Sequence, residues 1–136
     1  MKISLKNDPL WTRIRDMDID GVDRVLPFSR RLARDNGWEQ EVANRVIDEY
    51  KRFLYLLATQ DDPLTPSDQV DQAWHLHLTY TRSYWTVLCR DILGFELHHN
   101  PTRGGAGEQA RFEAQYQRTL ELYREVFSRA PPRVGL

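Results

Sequence analysis

Two long stretches of helical hydrophobic period, separated by Asp61-Asp62-Pro63-Leu64-Thr65-Pro66, constrain this chain more than any other feature. The first runs over about residues 39–60 and the second over about 68–92. Apolar residues return every three or four positions in both, which is the period of an amphipathic helix and not of a strand. The two prolines between them cannot continue a helix and mark a loop. Ser67 is placed to cap the second stretch, and Gly94 to end it. Shorter helical signals flank this pair. Asp8-Pro9 reads as a cap followed by a first-turn proline, opening a helix through Met17 with Leu10, Ile14 and Met17 on one face. A segment over 22–36 carries Val22, Val25 and Leu32 on one face, with Pro27 kinking it or starting its main helix and Asn36-Gly37 as the stop. A last helix over about 107–127 puts Phe112, Tyr116, Thr119, Tyr123, Val126 and Phe127 on one side, before Pro131-Pro132. No run of strand period and no repeat appears. The expected fold is an all-α bundle of about five helices in one domain, 1–136, with a long irregular connector over 94–106 before the last helix.

Helical angles then single out two titratable side chains. With Val42 at zero and ~100° per residue, Val46, Phe53, Leu56 and Leu57 fall within ~60° of it and make one apolar face, and Glu49 lands at ~-20°, in its middle. With Val70 at zero, Trp74, Leu78, Tyr84, Leu88 and Ile92 form the second face, and His77 lands at ~-20°. A carboxylate or imidazole in such a place needs a partner. Glu49 and His77 are expected to meet, directly or through a shared ion or water. Such a pair serves as a register-fixing polar contact, as part of a ligand or metal site, or as an acid–base pair; the angles do not choose among the three.

Asp71 and His75 lie at the edge of the same face and, four apart, can touch. All four histidines fall within residues 75–99. A few extended residues after Gly94 span enough distance, ~15 Å, to carry His98 back towards His75 or His77. Glu49, Asp71, His75, His77 and His98 are therefore the candidate ligand-binding residues. Their types suit zinc or iron. Their spacing names neither metal: there is no His-x-x-x-His pair, and Glu96-Leu97-His98-His99 sits between Gly94 and Pro101, outside a helix. No catalytic residue is assigned. Cys89, near a helix C-terminus, is expected to be a packed thiol and not an activated nucleophile. Trp74, Tyr80, Tyr84 and Trp85 are read mostly as core, with an exposed Trp38 or Trp85 as the sign of a partner surface. The Arg103-Gly104-Gly105-Ala106-Gly107 loop precedes a helix start but lacks a phosphate-loop pattern, so flexibility explains it.

Composition bounds the partners. A net charge of -1 and a pI near 6.4 argue against a nucleic-acid binder. No apolar run approaches the ~18 residues of a membrane span. One cysteine forms no internal disulfide framework, and Met1-Lys2-Ile3-Ser4-Leu5-Lys6 lacks the apolar core of a signal peptide, so a cytoplasmic location is expected. The expected partner is a protein or a small molecule.

Gly37-Trp38, Glu49-Tyr50-Lys51-Arg52-Phe53, Pro66-Ser67 and Val70-Asp71-x-x-Trp74-His75-x-His77, followed by Tyr84, Cys89, Gly94, His98 and Pro101, resemble the glycine-rich domain-containing protein-like family over about 28–127. The resemblance marks Glu49, Asp71, His75, His77, Cys89 and His98 as motif positions without supplying a reaction. Larger members carry glycine-rich segments and further modules; this sequence holds no such stretch, and roles of those parts are not transferred to it. The function expected is a small helical interaction or ligand-binding module with a buried Glu/His polar network, the alternative being a metal-dependent, hydrolytic enzyme built on the His/Asp/Glu cluster.

Overall fold

A computed structural model describes residues 5–23, 25–99 and 106–128. Every regular element among them is helical, so the all-α expectation holds. After a short 3-10 turn, Leu5–Asn7, come α1 (Pro9–Arg15), α2 (Phe28–Asn36), α3 (Gln40–Thr59), α4 (Asp68–Thr79), a π helix (Arg82–Leu93) and α5 (Ala106–Phe127).

The caps act as the sequence suggested. Asp8 accepts from the Leu10 backbone N–H at 2.9 Å, and Ser67 from that of Val70 at 3.3 Å. Gly37 ends α2 at φ +67°, a left-handed conformation that costs a glycine little and a side-chain-bearing residue more. The start of α2 differs from expectation. Pro27 starts the main helix, the second of its two expected roles, but Val22 and Val25 lie before it and are 97% and 83% exposed instead of sharing a face with buried Leu32. Asp20 holds that helix start, accepting from the Ser29 backbone N–H at 2.7 Å and from its hydroxyl at 2.9 Å.

α3 is the central element, packed against α1, α2, α4 and α5. It buries Val46, Tyr50, Phe53, Leu54 and Leu56 completely. α5 closes one side. Its Thr119 hydroxyl accepts from the Thr65 N–H at 3.2 Å, Arg118 pairs with Asp62 at 2.7 Å, and Phe127 meets the edges of Trp11 and Tyr55. Leu122 and Tyr123 reach the core with Thr119, while Phe112, Tyr116 and Val126 stay half-buried.

The largest departure is the helix expected over 68–92, which is two helices. α4 stops where the Tyr80 N–H bonds the His77 carbonyl at 2.9 Å, one residue tighter than an α turn. Beyond it the chain widens into i→i+5 pairing, and Gly94, at φ +82°, closes it by donating to the Cys89 carbonyl at 2.8 Å. Side-chain bonds across the junction require the break. Trp74 Nε1 donates to the Tyr84 hydroxyl at 2.9 Å and His77 Nε2 reaches Ser83 Oγ at 2.8 Å. In one straight α-helix residues ten apart are separated by ~15 Å of rise, and residues six apart by ~9 Å and ~240°. Neither pair could then meet. No proline or glycine marks residues 80–81, so the periodicity ran through the junction unbroken.

The connector begins as expected, with 94–99 free of regular structure. Residues 100–105, including Asn100-Pro101 and most of the Arg103–Gly107 loop, lie outside the described residues, as do Pro131-Pro132 and the first four positions.

Candidate functional site

His77 is wholly buried, boxed by the ring edges of Phe28, Tyr50 and Tyr84 at centroid distances of 5.8, 5.6 and 5.2 Å. Both ring nitrogens are engaged: Nδ1 with the Tyr50 hydroxyl at 2.7 Å and Nε2 with Ser83 Oγ at 2.8 Å. Burial pushes its pKa down to about 3, so the imidazole is neutral near pH 7. The same burial raises Tyr50 well above the usual phenol range.

A serine, a histidine and a third group in line have the connectivity of a nucleophile, a base and its orienter. The protons stand the other way round. The completely buried Tyr50 O–H needs an acceptor and has Nδ1 at 2.7 Å, so the tautomer that satisfies it is the one in which the phenol donates to Nδ1. Nε2 then carries the ring's single proton and donates it to Ser83. An imidazole donating to the hydroxyl cannot remove that hydroxyl's proton. The Tyr50–His77–Ser83 chain is a closed polar bolt, tying α3 through α4 to the first turn of the π helix.

Glu49 is also buried, at 3% exposure, but it does not bond His77 as expected. Its Oε1 pairs with Arg52 at 2.9 Å, one turn along α3, and the Arg52 guanidinium lies over the Phe127 ring. Its Oε2 is buried without a hydrogen-bond partner among the described residues. Adjacent positions on α3 explain the correction: Tyr50, and not Glu49, is turned towards His77. A tyrosine in an apolar stripe looks like core in a sequence, which hid the true partner.

Asp71, His75 and His99 form the second constellation. His99 Nε2 meets Asp71 Oδ1 at 2.7 Å, and His75 Nε2 meets Oδ2 at 3.4 Å. One ligand atom from each of the three lies within 4.8 Å of the other two. Asp71 and His75 share a face of α4, one turn apart, as expected. The third member is His99 and not His98. His98 is exposed, bonding Glu96 at 3.0 Å and leaning on Trp85. The two neighbours turn to different partners, His98 to Trp85 and Glu96, and His99 to Trp74 and Asp71. The Tyr84 hydroxyl, donating to the Leu97 carbonyl, holds the segment in the register that selects His99. The letters alone do not contain that choice.

His99 is also fixed by stacking, 4.1 Å from the Trp74 ring at 13° and 4.7 Å from that of His75 at 27°. Trp74 is buried and anchored through Tyr84, so a rigid wall stands behind the site. The face towards solvent is open: the His75, Asp71 and His99 side chains are 53%, 28% and 18% exposed. Around a tetrahedral ion with bonds of ~2.0–2.2 Å, ligand atoms lie ~3.3–3.6 Å apart. The His75 contact of 3.4 Å falls in that range and the His99 contact of 2.7 Å is shorter, the two running to different oxygens of Asp71, so the side chains must turn to share one ion. Two imidazoles and one carboxylate are a donor set for zinc or ferrous iron.

A model of the UCP032817-like family matches residues 28–123, from the start of α2 into α5. The chain belongs to the UCP032817-like family. No curated protein and no solved structure matches it. The matched span of this family member holds both constellations, while α1 lies outside it.

Two further expectations are settled in the same region. Cys89 is buried, and burial raises its thiol pKa, so it is no poised nucleophile. Trp38 and Trp85 are half-buried and packed against the core, so neither is the exposed aromatic that would have marked a partner surface. No helix of the described residues is long and apolar enough to cross a membrane.

Proposed function

We propose that this chain is a small helical ligand-binding module whose ligand is a divalent transition metal, held by Asp71, His75 and His99. The observation that carries the reading is the convergence of three ligand atoms within 4.8 Å on a solvent-facing surface. Trp74 supports it as the wall that fixes His99, and Asp71 as the carboxylate common to both imidazoles. Glu49 and His77 belong to the supporting core in this reading, and His98 to the rim.

A metal-dependent hydrolytic enzyme is the second reading. It is favoured by the ligand count: three protein ligands leave a coordination position for water, which is how catalytic zinc sites differ from closed structural ones. The likeness to the glycine-rich domain-containing protein-like family belongs to the same proposal, with the metal face as what a larger chain would carry. A cytoplasmic location fits the single buried thiol, and a net charge of -1 fits a small-molecule or protein partner better than a nucleic acid.

The test is elemental analysis of untagged protein purified without chelator and then loaded with zinc. One zinc per chain is expected, retained in His98→Ala and lost in His99→Ala and in Asp71→Ala. Zinc retained equally in all three variants, or no zinc in the parent, sinks the reading.

A further inference from the structure

His99 comes to Asp71 and His75 from a segment with no regular structure, so bonds outside the three ligands must place it. Two residues before His99, the Leu97 carbonyl accepts the Tyr84 hydroxyl proton. The same hydroxyl accepts from Trp74 Nε1 at 2.9 Å. Trp74 in turn stacks on His99, with ring centroids 4.1 Å apart and planes at 13°. One phenol oxygen therefore fixes both the segment that carries His99 and the ring on which His99 lies.

Tyr84 suits that part. Its side chain is wholly buried, where both hydrogen bonds are stronger than they would be in water. Burial also pushes its pKa up to about 12, so the hydroxyl keeps the proton it donates at any working pH. The two bonds join three elements: the phenol stands on the π helix, the indole on α4 and the carbonyl on the connector.

We infer, resting on the metal reading, that Tyr84 is a positioning residue of the metal site and that its hydroxyl links the bound ion to the junction between α4 and the π helix. With the hydroxyl in place, His99 is already ordered beside Asp71, and little ordering entropy opposes ion binding. Linkage is reciprocal: what a placed His99 adds to ion binding, a bound ion adds to the bonds that place it. Metal at the surface thereby tightens a junction inside the fold.

Zinc titration calorimetry on the full chain tests it with Tyr84→Phe, which keeps the ring and deletes the hydroxyl. Zinc affinity is expected to fall about tenfold or more, the usual effect of losing a partner that orients a metal-bound imidazole. Leu88→Ala damages the same core from the same helix without removing either bond, and its zinc affinity is expected to stay within about twofold of the parent. Amide hydrogen exchange gives the second readout. Zinc is expected to slow exchange at residues 80–84 in the parent and to leave it unchanged in zinc-saturated Tyr84→Phe. If Tyr84→Phe does not fold, Trp74→Phe deletes the indole N–H and keeps a ring against His99, with an expected weakening of about threefold or more. Parent-like zinc affinity in whichever aromatic variant folds, an equal loss in Leu88→Ala, or protection of residues 80–84 that survives Tyr84→Phe overturns the positioning role and leaves the metal site standing. A parent chain that takes up no zinc overturns both.

Discussion

α4 carries two imidazoles only two residues apart, and they live in different worlds. His77 faces the core, with both nitrogens bonded to neutral hydroxyls and no exposed surface. His75 faces solvent, 3.4 Å from a carboxylate to which a second imidazole is bonded. The helix supplies the division, since residues two apart point ~200° from each other. The partners complete it. One hydroxyl at each ring nitrogen leaves His77 no vacancy, whereas a carboxylate has more acceptor sites than two imidazoles fill. The difference teaches that a histidine-rich motif is not one site. The buried member holds the helices in place, and the exposed members are left available for chemistry.

The largest effect should come from breaking the closed side. His77→Ala opens a cavity and strands the Tyr50 hydroxyl, with an expected loss of about 3–5 kcal/mol of unfolding free energy in denaturant titrations. The fraction that stays folded should still bind zinc, since none of the ligands is removed.

The same bolt gives a pH signature. His77 takes up a proton near its ordinary value of 6.5 when unfolded but only at about 3 when folded. Between those values the unfolded state binds more protons, so stability is fully present above pH 6.5 and falls as pH drops towards 3. The contribution is about 1.4 kcal/mol per pH unit at most. His77→Gln should flatten that part of the stability–pH curve relative to the parent; an unchanged slope would assign it to carboxylates instead.

Breaking the open side should do the reverse. His99→Ala is expected to weaken zinc binding by about a hundredfold or more while shifting the unfolding free energy by about 1 kcal/mol or less. Calorimetric zinc titration beside thermal unfolding separates the two. His98→Ala is the smallest expected effect, within about 0.5 kcal/mol in stability and with zinc affinity unchanged.

These contrasts follow how far the sequence could be read. Caps and apolar stripes are local, so Asp8, Ser67, Gly37 and the helices on either side of Pro63 were legible. Asp71 beside His75 was legible too, because one turn of helix brings them together whatever the rest of the chain does. Glu49 was rightly placed inside and wrongly partnered, because an angle on one helix says which face a residue takes and nothing about the neighbour opposite. The choice between His98 and His99 depends on how the irregular segment after Gly94 is held, by a hydrogen bond from Tyr84 to the Leu97 carbonyl thirteen residues on. The change from α4 to the π helix at Tyr80 depends on side-chain bonds across the junction, from Trp74 to Tyr84 and from His77 to Ser83. Tertiary partners made both choices, and neither leaves a periodic trace.

The central claim is that one imidazole from α4 and one from the connector meet a single ion while His77 stays apart. X-ray absorption at the zinc edge of the loaded chain tests it most directly, because imidazole rings give characteristic outer-shell scattering that can be counted. Two imidazoles with oxygen ligands completing the shell in the parent and in His98→Ala, with the zinc lost from His99→Ala, is the expected result. Zinc with an imidazole count that ignores His99, or a parent spectrum without imidazole scattering, would contradict the account.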